Sequence, residues 1–269
     1  MIPAHHWIFI GGTTLAAYVA LGEYDQLALR HLGKKIAWRF VFLCSFTTYA
    51  LSHNVGASVL SGAVVRYRAY SSKGLTAAEI GVLVALCSFT FALAILILGG
   101  LVLVTHPHLV QRFGDVPESA AVALGALMLA FVAFYVIGSL FHFRPFIVGG
   151  FKIYYPRPPI VVAQFMVAPI EVLAAAAIIY FALPPEGNPG YIVILGIFIA
   201  SFSAALISHA PGGLGVIEFI FISALSEIDQ ADVVAALIIF RLFYLLIPFA
   251  LSLLIILAFE RSQMAQQEE

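Results

Sequence analysis

Charge is what this sequence has least of. Lys, Arg, Asp and Glu make up 10% of its 269 residues, where a soluble domain carries roughly 25%. Hydrophobic residues fill 62% of it and the mean hydropathy is +1.05. A water-soluble fold of this size has no interior large enough for so much apolar surface, so lipid solvates most of the chain. The fold class is all-α, a polytopic integral membrane protein forming one membrane domain over residues 1–269. A net charge of -1 offers nucleic acid nothing to bind. Cysteine is nearly absent too: Cys44 and Cys87 both fall in apolar stretches, which argues against a disulfide scaffold. The histidines show no metal-ligand spacing, and no G-x-S-x-G elbow accompanies Ser52–His53 or Ser208–His209. Metal, cofactor and hydrolase chemistry therefore lack support, and no enzyme activity is expected. No basic leader precedes the apolar start at Trp7, so that segment is expected to stay in the membrane.

What is present is a series of apolar stretches: 7–21, 36–65, 80–104, 120–141, 160–183, 191–225 and 233–259. A spanning helix takes about 20 apolar residues. Stretches 36–65 and 191–225 are too long for one helix and short for two. Each is broken by polar and glycine residues, "SHNVG" at 52–56 and "SHAPGG" at 208–213. Two half-helices meeting at a non-helical elbow fit both. Basic residues gather in the loops at 23–35, 66–79 and 142–159, whereas 184–190 and 226–232 hold Glu186, Glu227, Asp229 and Asp232 with no Lys or Arg. Cytoplasmic loops collect Lys and Arg, so 36–65 is expected to enter and leave from the cytoplasm and 191–225 from the opposite face. The expectation is five spans and two opposed re-entrant hairpins, N-terminus outside and C-terminus inside. Seven or eight ordinary spans are the alternative.

The two broken segments echo each other. "ALSHNVG" (50–56) resembles "ALISHAPG" (205–212), and "TAAEIGVLVAL" (76–86) resembles "DQADVVAALII" (229–239). Span, hairpin, span then occurs twice, over approximately 7–104 and 160–259, in opposite orientation with 120–141 as connector. Inverted repeats with broken helices at the midplane are a transporter signature.

Irregular backbone at membrane depth is tolerated only where it is buried in protein or lines a watery cavity. Pro211 suits the first turn of a helix starting near Gly212. Gly212, Gly213 and Gly215 would leave the N–H groups of that turn uncovered for an anion, phosphate especially. Alternatively, the glycines only let helices pack closely. Glu218 lies one turn further on. Arg241 is its natural partner, and Glu171, in the 160–183 stretch, is a second candidate partner for that arginine. Either pair is functional or structural glue. Arg66 and Arg68, in "AVVRYRAY" (63–70), suit a headgroup phosphate through their planar forks, or anchor the cytoplasmic face. Asn54 and His209 stand at the two elbows and complete the candidate substrate-binding set.

Four motifs in order carry a family resemblance: "YDQLALR" (24–30), "LSGAVVRYRAYSSKGLTAAEI" (60–80), "SHAPGGLGVIE" (208–218) and "FRLFYLLIP" (240–248). Over about residues 18–259 the chain resembles the membrane region of the multiple peptide resistance factor family, bacterial lysylphosphatidylglycerol synthases and flippases. The resemblance implies an inner-membrane domain that moves aminoacylated phosphatidylglycerol from the inner to the outer leaflet. Synthases of that family carry a large soluble transferase domain, whereas a short polar tail follows residue 259 here, so aminoacyl transfer is not expected of this chain. The implied function is translocation of anionic or aminoacylated phosphatidylglycerol. Headgroup phosphate would sit on Gly212–Gly215 and on Arg66 or Arg68, with Glu218 toward a headgroup amine. An ion-coupled transporter of a small solute is the alternative, because broken helices and a buried acid serve both. Beyond phospholipid, the partners expected are a second copy of the chain or a lipid-modifying enzyme.

Overall fold

The computed structural model describes residues 3–55, 58–141, 143, 146–148, 151–153 and 155–267. Its helices are α1 (Ala4–His31), α2 (Trp38–Val55), α3 (Ser58–Ser71), α4 (Ala77–Thr105), α5 (Glu118–Leu140), α6 (Pro158–Ala182), α7 (Tyr191–Ser208), α8 (Val216–Ala224), α9 (Gln230–Phe240) and α10 (Ile247–Gln267). A short antiparallel hairpin, β1 (Phe146–Val148) with β2 (Phe151–Ile153), interrupts the otherwise helical fold between α5 and α6. Helices α4, α5, α6 and α7 and the continuous α9–α10 rod are long and apolar enough to cross a membrane. The chain is a multi-pass membrane protein.

The membrane-crossing set differs from the expected one in two places. Helix α7 is apolar enough to cross by itself, although it forms one arm of an expected hairpin. Helix α1 is longer than its apolar stretch, with 28 residues, and lies outside the set. It continues through Glu23, Asp25 and Arg30 to His31, so residues 23–31 are helix rather than a basic loop. Periodicity could not extend it past Leu21, because the second half mixes charge with apolar residues and is buried nonetheless.

Small residues set the centre. Ala174, Ala175 and Ala176 of α6 and Ala17, Ala20 and Ala28 of α1 are buried, and these two helices pack closely together. Such residues let backbones approach where lipid provides no hydrophobic drive between helices. The α4–α5 contact works the same way. A Cβ added at Gly125 would stand 2.9 Å from the Gly100 carbonyl oxygen.

Both interrupted segments are helical hairpins that return to the end they came from. At one end Lys34 Nζ, before α2, lies 2.7 Å from Glu79 Oε1, after α3. At the other, Gly187, before α7, approaches the Glu227 carbonyl, after α8. The arms have 18 and 14 residues in the first hairpin and 18 and 9 in the second. At 1.5 Å per residue these are about 27, 21, 27 and 13 Å. Only α8 is a half-helix by length; α2 and α7 have 18 residues each, and α3 runs on past its apolar stretch to Ser71. The tips meet: a Cβ on Gly212 would lie 3.6 Å from the His53 carbonyl oxygen. Gly56, at the first elbow, lies outside the described residues.

The second sequence echo marks equivalent places, the start of the helix after each hairpin. Thr76 caps α4 in a capping box, accepting from Glu79 N while Glu79 accepts from Thr76 N. Asp229 caps α9 by accepting from Ala231 N at 2.8 Å. Neighbour relations recur as well: α1 packs on α2 and α4 as α6 packs on α7 and α9.

Candidate functional site

The site begins with a proline. Pro248 has no N–H for the Tyr244 carbonyl one turn back, and the Tyr18 hydroxyl donates to that carbonyl at 2.9 Å instead. Just ahead of it the rod widens into a π-turn over Arg241–Leu246, a geometry that recurs at functional sites. Asn54 Nδ2 donates to the Leu245 carbonyl at 3.2 Å and to the Ala50 carbonyl at 2.8 Å. Asn54 thus pins the tip of the first hairpin to the π-turn.

Arg241 opens the π-turn and holds the tip of the second hairpin. Its Nε donates to Glu218 Oε1 at 2.7 Å, Nη2 lies 2.6 Å from the same oxygen, and Nη1 donates to the Gly212 carbonyl at 2.8 Å. Glu218 Oε2 accepts from Gly215 N at 2.8 Å. The pair expected from the sequence is therefore formed, although Nη2, close as it is to Glu218, makes no hydrogen bond.

The tip itself differs from the expected cradle. His209, exposed and left-handed at φ 56, ends α7, and its Nδ1 lies 2.9 Å from the Ile207 carbonyl. A 3-10 turn spans Pro211–Gly213, and α8 starts only at Val216. Gly213 N donates to Ala210 O, Leu214 N to Pro211 O and Gly215 N to Glu218. The N–H groups of Gly213 and Gly215, two of the three glycines expected to face phosphate, are thus occupied from within, as is that of Leu214. Gly213 has φ +64, and a Cβ there would stand 2.7 Å from Ile217 Cδ1 and 2.9 Å from Ala205 Cβ. Alanine is strained here too, by packing and backbone conformation rather than by cover over the N–H groups.

Arg66 is corrected most sharply. It lies buried inside the fold, not at an interfacial mouth, with 4% exposure. Its Nε donates to Asp25 Oδ2 at 3.1 Å and Nη2 to Asp25 Oδ1 at 2.6 Å. Tyr70 OH (2.9 Å) and Cys87 Sγ (3.3 Å) donate to the same carboxylate, and the guanidinium lies 4.8 Å from the Tyr49 ring centroid. The bidentate fork meant for phosphate is taken by Asp25. Arg68 is exposed and paired with Glu260 at 2.8 Å, tying α3 to the second half of α10.

Between the hairpin tips lies a cavity of about 410 Å³ whose wall includes Ser52, His53, Arg66, Glu171, His209 and Gly212. Glu171 does not meet Arg241. Its Oε1 accepts the Tyr244 hydroxyl, and its buried Oε2 has no partner. His53 stacks on the Tyr244 ring, centroids 5.5 Å apart at 20°, and its Nδ1 is buried and unpartnered. A second cavity of about 430 Å³, between α4 and α5, is walled by aromatics such as Phe89, Phe131 and Phe134. The described residues hold no group of three His, Cys, Asp or Glu placed to bind a metal.

Sequence reasoning missed Asp25, Tyr70, Cys87, His53 and Tyr244. One signal was available for Asp25. It sits in "YDQLALR" directly after an apolar stretch, and an acid inside a membrane helix is paired or functional. The others are ordinary core residue types whose roles depend on a hairpin fold that brings distant segments together.

The family model described as "Lysylphosphatidylglycerol synthase TM region" matches residues 3–252. The uncharacterized protein slr0712 of Synechocystis sp. is 31% identical over 252 residues, which is 93% of this chain and 78% of that protein. The inner membrane protein YbhN of Escherichia coli is 30% identical with the same shares covered. The phosphatidylglycerol lysyltransferase of Staphylococcus aureus is 25% identical over 92% of this chain, which corresponds to 28% of that longer protein. With residues 3–252 matched by the family model and 93% of the chain covered by relatives of 30% identity or more, this chain belongs to the lysylphosphatidylglycerol synthase TM-region family.

Proposed function

We propose that the protein translocates phospholipid between the leaflets of the bacterial inner membrane, passing the headgroup through the cavity between the hairpin tips while the acyl chains stay in lipid. One observation carries this reading. The cavity wall is mostly apolar but carries Ser52, His53, Glu171 and His209, and it adjoins strongly exposed apolar side chains at the second tip: Leu206 lines the cavity, and Ile207, Leu214 and Phe219 project outward beside it. A headgroup can be solvated there while its tails remain in hydrocarbon, which avoids both burying a charged group in lipid and wetting the acyl chains. Phosphatidylglycerol and its aminoacylated form are the proposed substrates, on the strength of the family description and of relatives named for that lipid. The headgroup contacts fall to Glu171, His53 and His209, since Glu218, Arg241 and Arg66 are occupied in ion pairs. Translocation, with no aminoacyl transfer, is the whole of the proposed activity.

The end bearing Lys34, Lys35, Arg68 and Lys73 faces the cytoplasm in this proposal, following the bias of short cytoplasmic loops toward Lys and Arg. Single cysteines at Asn188 and Asp229 are then expected to react with an impermeant thiol reagent from the periplasm, and one at Ser72 to be protected. Labelling of Asp229→Cys from the cytoplasm alone would refute the orientation.

Ion-coupled transport of a small solute is favoured by one observation of its own: a cavity of about 410 Å³ falls in the range of small-molecule pockets. Purified protein in vesicles separates the two readings. Leaflet exchange of fluorescent phosphatidylglycerol without uptake of water-soluble solutes is the expected result, and solute uptake without leaflet exchange overturns it.

A further inference from the structure

Glu171 is 2% exposed, and its two oxygens have different surroundings. Oε1 holds the Tyr244 hydroxyl, while Oε2 is buried without a partner in a residue that lines the cavity. The charged and titratable groups on the elements around it are committed elsewhere. From α1, Tyr18 donates to the Tyr244 carbonyl and Tyr24 to the Ala168 carbonyl. Across the cavity, Arg66 of α3 and Cys87 of α4 both bond Asp25. From α5, Tyr135 donates to Gln164. Arg241 is held by Glu218, and His209 at the end of α7 is exposed. His53 of α2, stacked on Tyr244, is the one neighbour here with an unpartnered ring nitrogen. None of these groups is a cation free to neutralise Glu171.

A carboxylate at this depth without a counter-ion takes up a cation or a proton. A hard metal cation asks for several oxygen ligands, carboxylates foremost, whereas among the described residues of this wall Glu171 Oε2 is the one unpartnered carboxylate oxygen, beside only the hydroxyls of Tyr49, Ser52 and Ser88. A proton needs one acceptor. We infer that Glu171, set by Tyr244 and facing the cavity with His53, is a proton-binding site that couples transport to the transmembrane proton gradient. The coupling rests on the translocation reading, whereas the proton site does not. A proton from water adds to Oε2, turning the carboxylate into a neutral acid, and returns to water on the other face when that O–H bond breaks. Tyr244 keeps its own proton throughout. The charged form places an unbalanced negative charge in the cavity wall and repels a phosphate headgroup, so the anionic lipid enters with the proton.

Infrared difference spectra between acidic and alkaline pH, on purified protein in phosphatidylethanolamine–phosphatidylglycerol bilayers, test the site without any transport. The expected signal is the carbonyl stretch of a protonated carboxylic acid that is lost in Glu171→Gln, shifted in Tyr244→Phe, and equal in potassium and sodium buffers. Absence of a titrating band, or its survival in Glu171→Gln, overturns the site. Disappearance of the band in sodium makes it a metal-ion site and overturns the proton. In vesicles, an imposed pH gradient should change the translocation rate of fluorescent phosphatidylglycerol severalfold, and Glu171→Gln should lose that response. A rate indifferent to the gradient overturns the coupling. An intact band with no lipid translocation at all refutes the lipid reading and leaves the proton site standing.

Discussion

Asp25→Ala is expected to abolish most of the folded yield. The substitution leaves the Arg66 guanidinium, 4% exposed, without the carboxylate that takes two of its donors, and removes the acceptor for Tyr70 and Cys87. Removing one partner of a buried pair costs about 3–5 kcal/mol, while replacing both by apolar residues of similar volume is near neutral. Asp25→Leu with Arg66→Met is therefore expected to recover much of the yield lost in either single variant. Monodisperse protein recovered from detergent, compared across wild type, Asp25→Ala, the two single changes Asp25→Leu and Arg66→Met, and their combination, measures this. A wild-type yield from Asp25→Ala alone would mean that the pair is not holding α1 to α3.

Glu218→Gln and Arg241→Gln are expected to behave alike, and for a local reason. The pair closes a loop of contacts: Arg241 reaches the Gly212 carbonyl, and Glu218 caps the first turn of α8 through Gly215 N. Breaking it frees the second hairpin tip from the π-turn and leaves a charge at membrane depth. Hydrogen bonds to charged groups contribute about 1.5–3 kcal/mol, and three are made here. Each single change should lower folded yield and release the tip, seen as faster amide exchange at Gly212–Gly215. The double change should restore yield in part, because two charges leave together while the backbone partners stay unmet. Normal folding with complete loss of lipid translocation in Glu218→Gln would instead place this carboxylate in contact with substrate.

Much of the architecture is legible from the sequence, since lipid imposes a coarse grammar. Apolar length gives α4, α5, α6 and the rod, and glycine with proline at 208–215 gives an elbow, as does "SHNVG" at 52–56. Loop charge then shows that each elbow belongs to a hairpin returning to one end. Polar partners are harder to read. Arg66 looks interfacial in "AVVRYRAY" because a linear string cannot show that α3 turns it inward onto Asp25, 41 residues earlier. Glu171 looks like a partner for Arg241 because both are ionisable, yet the π-turn presents Tyr244 to it instead. The glycines at the tip look like an open anion cradle, and positive φ at Gly212, Gly213 and Gly215 fits that picture. Closure by Ala210, Pro211 and Glu218 depends on turn geometry below the level of composition.

If headgroups pass through the cavity between the hairpin tips, as proposed, plugging that cavity must stop them. Ala210 lines it and is only half-buried, while the two native cysteines are free and buried, so Ala210→Cys presents one reactive thiol at the wall. Methanethiosulfonate reagents of increasing size would be attached to that variant in vesicles, with leaflet exchange of fluorescent phosphatidylglycerol followed for each. Exchange should fall stepwise as the adduct grows and return when the adduct is reduced off, with the wild-type chain unaffected. Full modification by the largest reagent with an undiminished exchange rate would contradict a route through this cavity.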